Sequence, residues 1–229
     1  MFFWDYTFFL LIPALILAIY AQQKVRSTYR YYSSKLASTR LTASDTARDI
    51  LSSRGAGSVR VEKVKGELSD HYDPRKRVLR LSEGVYSSRS IAALGIAAHE
   101  AGHALQHHSK YFPLHLRNAI YPLASFGSSL AFPIFFIGFI FSRQGPSILM
   151  DLGILLFSGA VAFSVLTLPV EFNASRRALR ILKERNYLDE EELRGARNVL
   201  SAAALTYVAA TAMALVQLFR LLLLRGSRR

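Results

Sequence analysis

Residues 118–170, NAIYPLASFGSSLAFPIFFIGFIFSRQGPSILMDLGILLFSGAVAFSVLTLPV, contain two charged side chains, Arg143 and Asp151. The stretch is long enough for two bilayer-crossing helices of about 20 residues each. Arg143-Gln144-Gly145-Pro146 supplies a tight turn between them. A transmembrane hairpin over 119–170, with apolar blocks at 118–142 and 147–170, is therefore expected. Further apolar blocks lie at 2–21 and 199–224. No basic residue precedes the first, and Lys24, Arg26 and Arg30 follow it. That order fits an uncleaved anchor (1–21) better than a removable signal. The last block carries Gln217 and Arg220 near its end and is read as transmembrane or partly inserted. A basic tail, 225–229, follows it.

The polar sequence lies between these blocks, at 22–118 and 171–198. The chain has 229 residues, 51% of them apolar, and a net charge of +13. Its mean hydropathy is +0.20. Such apolar content excludes a disordered chain. The lack of cysteine excludes a disulfide scaffold, Cys-type zinc fingers, thiol catalysis and iron–sulfur ligation. Of the 29 Lys and Arg residues, 24 fall in 22–118 and 171–198. Four spans put both segments on one side, and the positive-inside tendency makes that side cytoplasmic. Charge facing anionic lipid then accounts for the basicity without nucleic acid. Tyr29, Tyr31 and Tyr32 beside Arg26 and Arg30 read as an interfacial belt. The expected fold is a mainly α membrane protein with about four transmembrane helices and a small α+β region on the cytoplasmic face.

Within 22–118, Thr42 to Arg54 predicts a short amphipathic helix, capped by Thr42 or Ser44 and ended by Gly55 and Gly57. Alternation around Val59 and Val61 predicts one strand, and 77–82 a second, separated by the turn-rich Ser69–Pro74. Ser90 opens a helix, SIAALGIAAHEAGHALQHH. It contains His99-Glu100-Ala101-Gly102-His103. Histidines four apart lie on one helical face, about 6 Å apart along the axis, so both imidazoles can reach one zinc ion. Glu100 has the position of a general base acting on water at that metal. The small apolar neighbours bury this helix, and buried imidazoles need partners.

A third protein ligand is required. His107 is eight residues from His99, about 12 Å of rise, so the three histidines cannot share one metal. His107 and His108 read as a solvated or interfacial cap. His71 lies in a turn and His115 beside a span. Glu171 is the strongest candidate, directly after an apolar block at the start of a polar helix. Its alternative reading is a carboxylate favoured by a helix N-terminus. The 68 residues from His103 to Glu171 accommodate two crossings, which return the chain to its starting face.

His99 and His103 with a downstream glutamate resemble the gluzincin metallopeptidases, including membrane-embedded proteases of the HtpX and CAAX prenyl protease types. Those read E-x-x-x-D; here the pattern is Glu171 followed by Ser175, so Ser175 or Asn173 substitutes for the aspartate. The N-terminal anchor, Asp70-His71-Tyr72-Asp73-Pro74, Leu81-Ser82, AAHEAGHALQ and PVEFNAS look closer still to the neutral zinc metallopeptidases of the YugP type, over most of residues 1–215. The resemblance implies a multi-pass protein of the prokaryotic plasma (inner) membrane. It implies one Zn(2+) per chain held by His99, His103 and Glu171, and peptide hydrolysis with Glu100 as base. His71, Tyr72 and Tyr207 are candidate oxyanion donors, and the 77–82 strand could bind extended substrate by edge addition. Partners are the lipid bilayer and a protein or peptide substrate, membrane proteins included. A homo-oligomer or membrane-protein partner stays open, and nucleic acid is not expected. The competing classes are a membrane-anchored zinc-binding scaffold without proteolytic activity, against which Glu100 argues, and a transporter. Only Asp151, Gln217 and Arg220 could serve the latter.

Overall fold

Within the described residues each apolar block folds as a helix, the local structure that satisfies every backbone polar group without water. The computed structural model describes residues 6–142 and 145–227. A 3₁₀ turn, Tyr6–Leu10, leads into α1 (Leu11–Ser33). The other long helices are α5 (Phe112–Phe141), α6 (Ile148–Glu184) and α7 (Glu190–Gly226). All four are long and apolar enough to cross a membrane. Arg143 and Gln144 of the expected turn lie outside the described residues.

The helices do not stop where the polarity changes. α6 runs unbroken from the apolar block through Glu171 to Glu184, and α7 from the acidic Glu190 through the last block. Glu171 therefore lies inside a helix rather than at the start of one, which removes the helix-terminus reading of its charge. Pro169 is accommodated within α6. It forfeits one helical hydrogen bond, while Val170 and Ala174 beyond it are completely buried.

The chain divides into two compact units. One comprises residues 1–22, 116–168 and 206–229. Its core is Ala131, Phe135, Met150, Phe157, Val161, Leu221 and Leu224. Its polar groups are matched: Arg225 pairs with Asp151, and the Arg220 guanidinium donates to Thr7 Oγ1 at 3.2 Å.

The other unit comprises residues 23–115 and 169–205. It holds α2 (Ala43–Ser53), β1 (Arg60–Val64), β2 (His71–Asp73), β3 (Val78–Ser82), the short α3 (Glu83–Tyr86) and α4 (Ile91–His108). Thr42 caps α2 and Ser90 caps α4. α7 opens with a reciprocal box: Asp189 Oδ1 accepts from Glu192 N–H at 2.8 Å, and Glu192 Oε2 from Asp189 N–H at 2.9 Å. The sheet order is β1-β3-β2, with β1 parallel and β2 antiparallel to β3. Arg60 faces Val78 on one side of β3, and His71 faces Arg80 on the other. The apolar strand thus takes the centre, with Val78, Leu79 and Leu81 fully buried, while the polar β1 and β2 form the edges. Residues 77–82 offer no free edge, contrary to expectation. Immediately before β2, Asp70 caps β3, its carboxylate accepting from the Ser82 N–H and hydroxyl.

The core of this unit joins Ile50 and Leu51 of α2, Leu79 and Leu81 of β3, and Leu94, Ala97, Ala98 and Ala101 of α4 to Leu182 and Ala196. α4 lies in its middle and depends on its cap. Ser90→Ala removes the acceptor that Ala93 N–H meets at 3.2 Å. It should destabilise the detergent-solubilised protein by about 1 kcal/mol in denaturant titrations.

Candidate metal centre

The stripe His99, Gly102, His103 and Gln106 follows the i, i+3, i+4, i+7 spacing of one helical face. Glu171, Ala174, Ser175 and Ala178 follow the same spacing on α6. The two stripes meet at Gly102, where a Cβ would stand 2.8 Å from the Ala174 carbonyl oxygen. No larger residue permits that approach without displacing backbone. It brings Glu171 to both imidazoles: Oε2 lies 3.4 Å from His99 Nε2 and 3.5 Å from His103 Nε2. One ligand atom from each of the three residues falls within 4.8 Å of the others.

The spacing suits a shared cation. Contacts of 3.4 and 3.5 Å are long for direct N–H···O hydrogen bonds. Donors about 2.0–2.1 Å from a tetrahedral ion stand roughly 3.3 Å apart. Two imidazoles and a carboxylate form a nitrogen–oxygen set suited to zinc, leaving a fourth position open. The groups are withdrawn from solvent, with side-chain exposures of 14% for His99, 12% for His103 and 5% for Glu171. Burial opposes a charged His103, but the Glu171 and Glu100 carboxylates outweigh it and hold the imidazole above its usual pKa. A divalent cation competes with that proton for the same atoms.

The outward ring nitrogens are also held. His103 Nδ1 meets Gln106 Oε1 at 3.0 Å, and His99 Nδ1 meets Ser175 Oγ at 3.1 Å. The Gln106 amide nitrogen donates to the Val170 carbonyl at 2.8 Å and to Asn173 Oδ1 at 3.0 Å. Arg177 donates to the same Asn173 oxygen at 2.8 Å. These donors orient the Gln106 amide, so its oxygen accepts the His103 Nδ1 proton and leaves Nε2 directed towards Glu171. Asn173 and Ser175, singled out as neighbours of Glu171, both belong to this network.

Gln106 went unrecognised from sequence alone. Its signal was a polar residue three positions after His103 on a buried face, and it is completely buried. Glu100 is buried beside His99 and near enough to His103 to influence its charge. His71 is exposed on β2, its Nδ1 near the Ser69 carbonyl and Nε2 near Arg80, so it is engaged away from this cluster. Tyr72 directs its hydroxyl to His107 Nδ1 at 2.8 Å. Tyr207 belongs to the other unit.

Residues 7–226 match the family described as "Putative neutral zinc metallopeptidase". The chain is 49% identical over 216 residues to a protein of Bacillus subtilis (strain 168) named "Putative membrane protease YugP". The alignment covers 94% of this chain and 95% of the relative. No solved structure gives a significant match. If the amide network orients the imidazole, Gln106→Leu should weaken zinc affinity about 10- to 100-fold in chelator competition. Unchanged affinity would remove Gln106 from any supporting role.

Proposed function

The chain belongs to the neutral zinc metallopeptidase family, and from that membership we propose that it is a membrane-bound, zinc-dependent endopeptidase. The observation carrying this reading is the convergence of His99 Nε2, His103 Nε2 and Glu171 Oε2 beside the buried Glu100. His99, His103 and Glu171 would hold one zinc ion per chain, completing a gluzincin-like centre. When bound, zinc supplies Lewis-acid activation of water and stabilises negative charge on the substrate carbonyl oxygen.

The chain's own groups do the rest. The Glu100 carboxylate takes a proton from the attacking water and delivers it to the leaving amide nitrogen as the C–N bond breaks. Gln106 holds the His103 ring and Ser175 the His99 ring, so both nitrogens stay aimed at one point. Burial of Glu171 excludes water that would compete for its carboxylate.

The membrane arrangement is part of the proposal. Its segments are an anchor (1–21), a cytoplasmic region carrying the HExxH helix (22–118), a transmembrane hairpin (119–170), a cytoplasmic stretch carrying Glu171 (171–198), a last membrane segment (199–224) and a basic tail. The distribution of Lys and Arg supports a cytoplasmic site in the plasma membrane. Substrates on this reading are proteins or peptides, membrane proteins among them.

Two experiments test it. Glu100→Gln removes only the base, so purified variant should retain about one zinc per chain while losing peptide hydrolysis by at least about 100-fold. His99→Ala, His103→Ala and Glu171→Ala should instead lose the metal. Proteolysis surviving in Glu100→Gln would assign the base elsewhere. For sidedness, engineered cysteines at Ser58 and Asn186 should resist an impermeant thiol reagent in intact cells, and one at Gly145 should react. Labelling at Ser58 would put the site on the outer face.

A further inference from the structure

One turn beyond His103 on α4 lies a cavity of about 250 Å³ that the hydrolytic machinery does not use. Tyr72, Arg77, His107, His108, Lys110 and His115 line it, and no acidic residue does. Among the described residues, neither Arg77 nor Lys110 forms an ion pair with a carboxylate. Burial, together with the neighbouring His115, Arg77 and His108, holds the His107 imidazole below its usual pKa. The Tyr72 hydroxyl engages His107 Nδ1 at 2.8 Å, so Nε2 is the ring nitrogen left for a ligand. The cavity is thus rich in N–H donors and lacks a counter-anion.

The backbone at both cationic positions is unusual. Lys110 has φ +52° and Arg77 φ +51°, the left-handed region that favours glycine. Lys110 closes α4 with its N–H on the His107 carbonyl and the Tyr111 N–H on the Gln106 carbonyl. α2 ends in the same pattern on Gly55, and α6 on Asn186, which are the favoured residue types there. At the equivalent place beside the cavity the chain carries a lysine. Arg77 occupies a left-handed turn position before β3.

We propose that this cavity is a substrate subsite for a carboxylate side chain, Asp or Glu, two or three residues from the bond hydrolysed. It rests on the peptidase reading and names a substrate class for it. The distance follows from the helix. His107 is about 6 Å of rise beyond His103 on nearly the same face, and an extended peptide advances about 3.3 Å per residue. A peptide crossing the metal centre along α4 places a side chain two or three residues away among these donors. That continuity of one face within one unit favours a peptide carboxylate over a lipid phosphate.

The test uses full-length protein in phosphatidylcholine nanodiscs and a peptide library in which one position at a time is Glu or Gln. Binding is read on zinc-loaded Glu100→Gln and cleavage on the wild type. At one position, two or three residues from the cleaved bond, Glu should be preferred over Gln by about tenfold in binding. Arg77→Gly and Lys110→Gly, which relieve the left-handed backbone, should erase the preference without lowering the melting temperature. Arg77→Lys should preserve it, and Arg77→Glu should turn it towards Lys. Equal binding of Glu and Gln peptides overturns the subsite, as does a preference untouched by these substitutions. If, in nanodiscs doped with phosphatidylglycerol, the variants instead change retention of that lipid and not peptide choice, the cavity is a lipid site and the proposal fails. Discrimination in binding with no peptide cleaved by the wild type would count against the peptidase reading, not against the cavity's selectivity.

Discussion

The contact between Gly102 and the Ala174 carbonyl sets the distance between α4 and α6, and the geometry of the candidate metal centre follows from that distance. A methyl group at position 102 would collide with backbone, which cannot rotate away as a side chain can. With glycine there, the two helices approach closely enough for one carboxylate oxygen to stand almost equally far from two imidazoles. Gly95 and Ala196 make a looser version of the same contact, with a Cβ at 3.4 Å. Small residues along α4 therefore serve geometry as well as burial. They let a helix surrounded by protein carry histidines without opening voids around them.

The polar groups around that contact form a closed set. Gln106 accepts from His103 and donates to Val170 and Asn173; Asn173 also accepts from Arg177. Each group answers a neighbour whose orientation is already settled, which makes a buried polar network tolerable. The carbonyl of Val170 receives an additional donor one residue after Pro169. The network thus ties α4 to the stretch of α6 where the apolar block gives way to the polar one.

Cation placement follows a comparable logic. Several charges in this unit are paired, as Arg185 is with Asp49, Arg80 with Glu62 and Asp73, and Lys183 with Glu190. Exposed pairs contribute little stability, but they neutralise the surface locally. Among the described residues, Arg77 and Lys110 beside His107 have no such partner, which leaves their charge on a concave surface.

Local chemistry was legible in the chain itself. Uncharged runs specify membrane-length helices because backbone in lipid must bond to itself. The i, i+4 histidines with Glu100 specify a helical face that presents two imidazoles and a carboxylate together. Thr42 and Ser90 specify helix starts because their hydroxyls replace missing backbone acceptors. Short-range patterns of this kind could not reveal that α6 and α7 continue through the change of polarity, since packing rather than composition sustains those turns. Nor could they reveal the central position of β3, the three-residue strand β2, or Gln106, whose partners lie 64 and 67 residues away. The spacing of His99 and His103 is a property of one helix. The arrival of Glu171 between them depends on how close two helices come, and that is decided by tertiary packing at a glycine.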